Sequence, residues 1–478
     1  MEFWRCRDHH DGVVCDRPCA CSIRIAAADF NLGKTGVRKI RSKQGSQKSE
    51  SREADVFRRE HERLKLLLNI TRNISREIHL DRLLRLIMDE VVSVLNCDRC
   101  TVFMLDRDKG ELWSRIAHGE QEIRFPSHMG IAGHVATTGE VLNIPDAYSD
   151  ERFNPNIDKK TGYRTRSILA APMRNKLGEL IGVFQVLNKF GGPFIYEDEE
   201  LLDAISVISA SQIENAQLYE EQKKTFDSFI ETLATTIDAR DPLTAGHSKR
   251  IAMYADEIAK IINLDEKERE KLRMAALLHD YGKIAVREAV LTKEGELNAE
   301  EYEHIKSHPL FTRNILERIN FARDFRDVPT IAASHHEKLN GSGYPNGLAN
   351  SQIPKLGKIL AVVDVFDALT SKRHYRDRMK FSKVINILNT NSGQQFDEFF
   401  VAAFKKMKVD RLISILESEN QDKLKSEDLS FMSRFDVNHL VEAVEGNRVD
   451  ADFVALKNTF LTYYHRDHLK GCKNENHH

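Results

Sequence analysis

No apolar run in this 478-residue chain approaches the roughly 20 residues that a membrane-spanning helix needs, so no membrane anchor is expected. Net charge is also nearly absent. With 71 basic residues against 73 acidic ones the balance is −2, which excludes a global field that would draw nucleic acid or a membrane surface. A small anionic ligand would then need a local basic pocket. The opening Met-Glu-Phe-Trp-Arg-Cys has no basic segment followed by an apolar core, so it does not read as a signal peptide and a cytoplasmic location is expected. Zinc-type spacing is missing among the first cysteines as well. Four of the seven cysteines, Cys6, Cys15, Cys19 and Cys21, crowd the beginning with no Cys-x-x-Cys pair, and His9-His10 is the only hint of a metal among them. Together with the scattered Cys97, Cys100 and Cys472 they read as reduced thiols.

What is present is a globular composition, 41% hydrophobic and 30% charged, long enough for roughly three domains of about 150 residues each. Residues 1–55 are polar and end in a basic run, a composition that cannot bury a core, so they read as a disordered tail. That run has no aromatic residue to stack on a base, which argues against nucleic acid. From Val56 apolar residues return at helical spacing through Leu64, Leu68, Ile74 and Leu83 to Leu95. Strand-like runs follow at Thr101–Leu105, Leu112–Ala117, Val141–Ile144, Ser167–Met173 and Leu180–Leu187. Helices flanking antiparallel strands make residues 56–222 an α+β domain. Beyond Glu197 an apolar stripe at helical spacing runs without Pro or Gly toward Ile237, a long helix of the kind that pairs between protomers. Residues 223–410 then read as all-α, and 411–478 as a helical extension and tail without visible chemistry.

The α+β stretch resembles a GAF domain over roughly residues 60–220. Gly130-Ile-Ala-Gly-His-Val135 followed by Thr138-Gly-Glu-Val-Leu-Asn-Ile-Pro145 is similar to that family's central helix and strand. Asn188, Lys189, Phe194, Asp198 and Glu199 match the Asn-Lys…Phe-x-x-x-Asp-Glu signature of GAF domains in mammalian cyclic-nucleotide phosphodiesterases. The resemblance implies that these residues brace a pocket, with Lys189 pairing Asp198. Two roles fit equally: a domain that takes a cyclic nucleotide, or one that only dimerises and transmits.

The chemistry-bearing stretch is Ala275-Ala-Leu-Leu-His-Asp-Tyr-Gly-Lys283, where an apolar helical run delivers His279, Asp280 and Lys283. If the helix continues, His279 and Lys283 share one face at i,i+4. Other metal-type side chains stand at long intervals, His247, His308, His335, His336 and Asp364, and imidazole with carboxylate suits iron, manganese or zinc. After His335-His-Glu comes Gly341-Ser-Gly-Tyr-Pro345. The two signatures in this order resemble the HD-GYP family of cyclic di-GMP phosphodiesterases, from about Phe226 to about Lys408.

The resemblance implies an all-α HD-superfamily fold joined by the long helix to the GAF domain. It also implies two divalent metal ions, iron or manganese, held by His247, His279, Asp280, His308, His335, His336 and Asp364, with Asp280 as the bridge and Asp367 orienting the site. Paired cations would lower the pKa of a bound water and clamp the phosphodiester, with Lys283 adding charge. Substrate contacts are implied for Gly343, Tyr344, Pro345, Arg373 and Arg376. Asn340 stands where the family often has Asp, and His374 where it tends to have Pro, which bears on substrate preference. Leu243, four residues before His247 near an expected helix start at Thr244, occupies the place of a third-metal Glu in some relatives and cannot ligate. The expected activity is hydrolysis of cyclic di-GMP to linear pGpG and on to GMP under GAF control, in a homodimer paired through the linking helices. The alternatives are a non-enzymatic cyclic di-GMP receptor and a hydrolase of another cyclic dinucleotide or a nucleotide monoester.

Overall fold

The structure, a computed structural model, describes residues 43–114, 123–240, 246–293, 295–371, 378–448 and 450–465. Two compact units divide the chain, Met1–Glu77 with Leu83–Ala210, and Ile78–Arg82 with Ser211–His478. Cys6, Cys15, Cys19, Cys21, Cys472 and the histidine pairs at both ends lie outside the described residues.

The first unit begins with α1 (Lys43–Ile74) and α2 (Leu80–Leu95). The start of α1 corrects the reading of an irregular tail up to residue 55: its first turns are rich in Lys, Gln, Glu and Arg, which lose little on entering a helix, and no Pro interrupts them. Leu80, Leu83, Leu84, Ile87, Met88, Val91 and Leu95 recur at helical spacing on α2, and all are buried. Six strands follow: β1 (Cys97–Asp106), β2 (Glu111–Ser114), β3 (Ile123–Pro126), β4 (Leu142–Ile144), β5 (Ile168–Arg174) and β6 (Leu180–Lys189). They form one antiparallel sheet in the order β3-β2-β1-β6-β5-β4. Helices α3 (Gly130–Thr138) and α4 (Pro155–Thr161) stand in the connections around β4. Residues Ile168 to Met173 of β5 are all buried, so this strand reads as a continuous apolar run. Strand β3 was not expected. Its four residues alternate between half-buried and exposed at a sheet edge, too short a pattern for periodicity to register.

Helix α5 (Tyr196–Arg240) is 45 residues long and unbroken, as its apolar stripe without Pro or Gly required. The second unit continues as α6 (His247–Ile261), α7 (Glu266–Leu278), α8 (Glu288–Leu291), α9 (Ala299–Lys306), α10 (His308–Leu316), α11 (Val328–Ala333) and α12 (Lys355–Thr370). It closes with α13 (Phe381–Asn391), α14 (Glu398–Lys405), α15 (Val409–Leu416), α16 (Ser426–Met432), α17 (Val437–Glu445) and α18 (Ala451–Tyr464). The helices after residue 410 are not an appendage. Leu412, Ile413, Phe435, Leu440, Phe460 and Tyr464 share one apolar core with Ile251, Leu278 and Phe366. Among the described residues no helix is long and apolar enough to cross a membrane.

Candidate metal centre

His247 opens α6 behind Gly246, whose φ of 66° is the left-handed conformation that glycine takes without cost. The helix is described from His247 on, and Leu243 and Thr244 lie outside the described residues. Helix α7 ends at Leu278, and His279 is its C-cap. Here the i,i+4 expectation fails, because the chain tightens into a 3-10 turn, Tyr281–Ala285. Three residues per turn stack i on i+3, so Lys283 faces Asp280, with Nζ 2.8 Å from Oδ2.

The His-Asp turn is stitched to α10. Thr312 Oγ1 accepts from the Gly282 N–H at 2.8 Å and donates to the His279 carbonyl at 2.9 Å. A Cβ on Gly282 would lie 2.0 Å from the His308 carbonyl oxygen, so only glycine permits this approach. His308 is thereby held beside Asp280 from a different helix. His335 and His336 follow the end of α11, and Asp364 projects from α12.

These elements bring the expected metal-type residues together in two groups. One ligand-type atom from each of His247, His279 and Asp280 lies within 4.8 Å of the others, and the same holds for His308, His335 and His336. Asp280 faces both groups: Oδ1 is 3.1 Å from His308 Nε2 and 3.7 Å from His335 Nε2, while Oδ2 is 3.5 Å from His279 Nε2 and 4.0 Å from His247 Nε2. Asp364 also spans them, with Oδ1 3.3 Å from His247 Nε2 and Oδ2 3.5 Å from His336 Nδ1.

Tautomers follow from the outer hydrogen bonds. His279, His308 and His335 each place Nδ1 at 2.6–2.7 Å from a backbone carbonyl, of Ala276, Ile305 and Ala332. A carbonyl only accepts, so Nδ1 carries the proton and Nε2 turns a lone pair toward Asp280. His279 Nε2 is buried without a hydrogen-bond partner. Such an orphan is costly in a native core unless something absent from the protein chain satisfies it. Burial holds the imidazoles of His279 and His335 below their usual pKa and lowers His336 to about 4. Neutral rings suit a cation; at His247 burial is outweighed by the hydrogen bonds to Asp364 and Asp367, which raise its imidazole to about 10, so a cation there would displace its proton. Burial disfavours the charged forms of Asp280 and Asp364, but Lys283 and the histidines around Asp280, and His247 with its neighbours around Asp364, hold both carboxyls below the usual range. The donor set, imidazole with shared carboxylate, fits divalent cations.

Behind this cluster Asp367 is fully buried and accepts from His247 Nδ1 at 2.7 Å and Arg250 Nε at 2.7 Å. Arg250 escaped the sequence reading, although it lies one turn beyond His247. Glu337 escaped too, although it completes the His-His-Glu triplet. On the other side the 341–349 turn folds over His336, with the Tyr344 ring 4.6 Å from the His336 ring. Gly343 and the half-buried Pro345 flank it. Arg373 and Arg376 lie outside the described residues.

In the first unit Lys189 pairs with Asp198, which also accepts the Ile195 N–H at 2.8 Å. Phe194 is buried, and Asn143 Nδ2 donates to the Phe194 carbonyl at 2.9 Å and to Glu199 Oε1 at 2.8 Å. Asn188 Oδ1 accepts from Arg166 N at 2.6 Å. Lys189 and Asp198 thus fasten the end of β6 to the start of α5, Asn143 ties Phe194 and Glu199 to β4, and Asn188 ties β6 to the segment before β5.

An antiparallel α/β domain followed by a helical domain with a His/Asp cluster is the class that fold and site define. Family matches give both domains their names: residues 79–213 match the GAF domain and residues 231–399 match the HD domain, so the chain carries a GAF domain and an HD domain. An HD domain implies a divalent metal, and the two groups around Asp280 are the candidate sites. Among similar curated proteins is the 3'3'-cGAMP-specific phosphodiesterase 3 of Vibrio cholerae, 38% identical over 184 residues, which are 38% of this chain and 39% of the relative. The cyclic di-GMP phosphodiesterase response regulator RpfG of Xanthomonas campestris pv. campestris is 38% identical over 168 residues, 35% of this chain and 44% of the relative. The probable 3',5'-cyclic phosphodiesterase pde-5 of Caenorhabditis elegans is 34% identical over 186 residues, 35% of this chain and 25% of the relative. Each match spans less than half of the relative's own length.

Proposed function

We propose that the HD domain, of the HD-GYP type, is a metal-dependent phosphodiesterase that opens a cyclic dinucleotide, cyclic di-GMP in the first reading, to linear pGpG and on to GMP. The observation that carries this reading is Asp280 with one oxygen toward each histidine group. A carboxylate so placed suits two cations, His247, His279 and Asp364 serving one and His308, His335 and His336 the other. When bound, such a pair supplies charge to the phosphodiester and lowers the pKa of water. The His-rich donor set without thiolate favours iron or manganese. Lys283 keeps Asp280 ionised and adds positive charge where the phosphate gains negative charge. Tyr344, with Gly343 and Pro345 beside it, offers a face for the nucleotide, and Arg373 and Arg376 offer guanidinium groups for phosphate or guanine.

A second reading, 3'3'-cGAMP as substrate, rests on the name of the Vibrio relative and on Asn340 in the substrate turn. The relative's name and the gathered ligand set favour an enzyme over a non-enzymatic receptor. In this proposal the GAF domain regulates, taking a cyclic nucleotide in the pocket that Lys189 and Asp198 brace, and the protein works in the cytoplasm. The exposed Val207, Leu218, Tyr219, Phe226 and Phe229 along α5 pair with a second copy. Incubating iron- or manganese-loaded protein with cyclic di-GMP, 3'3'-cGAMP, cyclic AMP and cyclic GMP and identifying the products tests the proposal. Turnover of a cyclic dinucleotide supports it; absence of turnover with every metal and substrate sinks it.

A further inference from the structure

Glu337 belongs to neither histidine group, yet only 2% of its surface is exposed. Its Oε1 accepts the Asn346 N–H and its Oε2 the Leu348 N–H, each at 2.8 Å. Both donors lie on the far limb of the turn that carries Tyr344. The near limb is fixed by the backbone: the Tyr344 N–H donates to the His336 carbonyl at 3.2 Å, and the Gly341 N–H to the Lys338 carbonyl at 2.8 Å. Gly343 presses so closely there that a Cβ would meet Lys338 N at 2.5 Å and Glu337 Cα at 2.6 Å. The turn therefore has a steric anchor before Tyr344 and an electrostatic one after it.

We propose that Glu337 is a positioning residue for substrate: its carboxylate latches the far limb, so that Tyr344 stays across His336 as a preformed face for a nucleotide. The proposal rests on the phosphodiesterase reading. Hydrogen bonds to an ionised acceptor are roughly twice as strong as neutral ones, and two of them converge on one rigid side chain. The latch serves the turn more than the core. Asn346 is exposed and Leu348 half-buried, so freed N–H groups would find water and the turn would loosen without unfolding the helices beneath it. His335 keeps its hydrogen bond to the Ala332 carbonyl and His336 faces Asp364 at 3.5 Å, contacts that do not pass through Glu337.

Glu337→Gln replaces one acceptor oxygen with an NH2 that cannot accept, and Glu337→Ala removes both. The test compares metal-loaded wild type and variants by metal content, by amide exchange, and by kcat and KM for a cyclic dinucleotide and for bis(4-nitrophenyl) phosphate, a diester too small to need the Tyr344 face. Glu337→Gln is expected to keep its metal, to lose protection at the Asn346 and Leu348 amides, and to raise the dinucleotide KM about tenfold, as for one charge-assisted hydrogen bond. The rise for the small diester is expected to be several-fold smaller. In a Tyr344→Ala background the same change should add little, because the two residues act through one face. Loss of metal, an equal KM rise for both diesters, or an undiminished effect without Tyr344 would overturn the proposal. If Glu337→Ala fails to fold, Glu337→Gln decides. A wild type that cleaves neither diester fails the phosphodiesterase reading instead, and unchanged exchange at both amides in Glu337→Gln overturns the latch whatever the activity.

Discussion

His247 and Asp367 meet at 2.7 Å, ring Nδ1 to carboxylate Oδ2, with Asp367 fully buried one helical turn beyond Asp364. That bond leaves His247 Nε2 facing Asp364 and Asp280, so the ring is aimed from behind. Arg250 balances the carboxylate from the other side. Asp367→Ala should weaken metal affinity at the His247 group by about 10–100-fold, the usual effect of removing an outer partner. It should also cost about 3–5 kcal/mol of stability through the buried guanidinium left behind. Metal titration and chemical denaturation check the two effects; an unchanged metal affinity would mean that His247 holds its orientation without Asp367.

Asp280 stands between the two groups, with Oδ2 2.8 Å from Lys283 Nζ. Asp280→Ala should therefore lose metal from both groups and abolish turnover, a larger loss than that of an outer partner such as Asp367. His279→Ala should chiefly empty its own group. Elemental analysis beside a turnover assay separates the two variants, and full activity in either would rule out the metal mechanism.

The metal-type residues were legible because their side chains stand beside strong local signals: an apolar helix before His279, a Gly-rich turn after His336, an apolar run around Asp364. The 3-10 turn was not legible, since the tightening at Tyr281–Ala285 follows from the contact of Gly282 with α10, thirty residues on in the hydrogen bond to Thr312. The packing of α15 to α18 was hidden for a related reason. Charged residues between Glu417 and Asp428 mask an amphipathic pattern whose partners lie far away in sequence, at Ile251 and Phe366. Strand β3 owes its pairing to β2 rather than to its own four residues.

Asp238, near the end of α5, is buried and accepts the Ser248 hydroxyl at 2.9 Å. Burial raises its carboxyl from 3.8 to about 6, outweighing the Ser248 hydrogen bond and the His247 charge that lower it. Between about pH 4 and 6 the folded protein keeps a proton that the unfolded chain has released, so stability declines as pH rises through that window and levels off above it. In chelator-treated protein Asp238→Asn should remove this decline, and relative to wild type it should gain up to about 3 kcal/mol between pH 4 and 7. Urea unfolding across that range measures it; parallel pH profiles would show that Asp238 is not responsible.

Val207, Leu218 and Phe229 recur every eleven residues along α5, close to three full turns, and Tyr219 and Phe226 widen the same exposed stripe. A second copy laid on this stripe would take five large apolar side chains out of water. Leu218→Glu with Phe229→Glu should shift the protein from dimer to monomer in sedimentation velocity while leaving metal content intact. A wild type that sediments as a monomer at micromolar concentration would dismiss the dimer.

Lys189 and Asp198 form an ion pair in which both side chains are mostly shielded, with 18% and 12% of their surface exposed. Removing the ammonium alone leaves a carboxylate that burial makes expensive, with the Ile195 N–H still donating to it. Lys189→Met should accordingly destabilise the first unit toward the lower end of the roughly 3–5 kcal/mol typical of a broken buried pair, because partial exposure softens the cost. Adding Asp198→Asn removes the stranded charge while its amide oxygen still accepts from Ile195. The double variant should then be more stable than Lys189→Met alone, which a simple sum of two losses would not give. Trp113 in β2 reports on this unit, so its fluorescence during urea unfolding is the measurement. A double variant less stable than the single would show that the carboxylate, rather than the pair, holds β6 to α5.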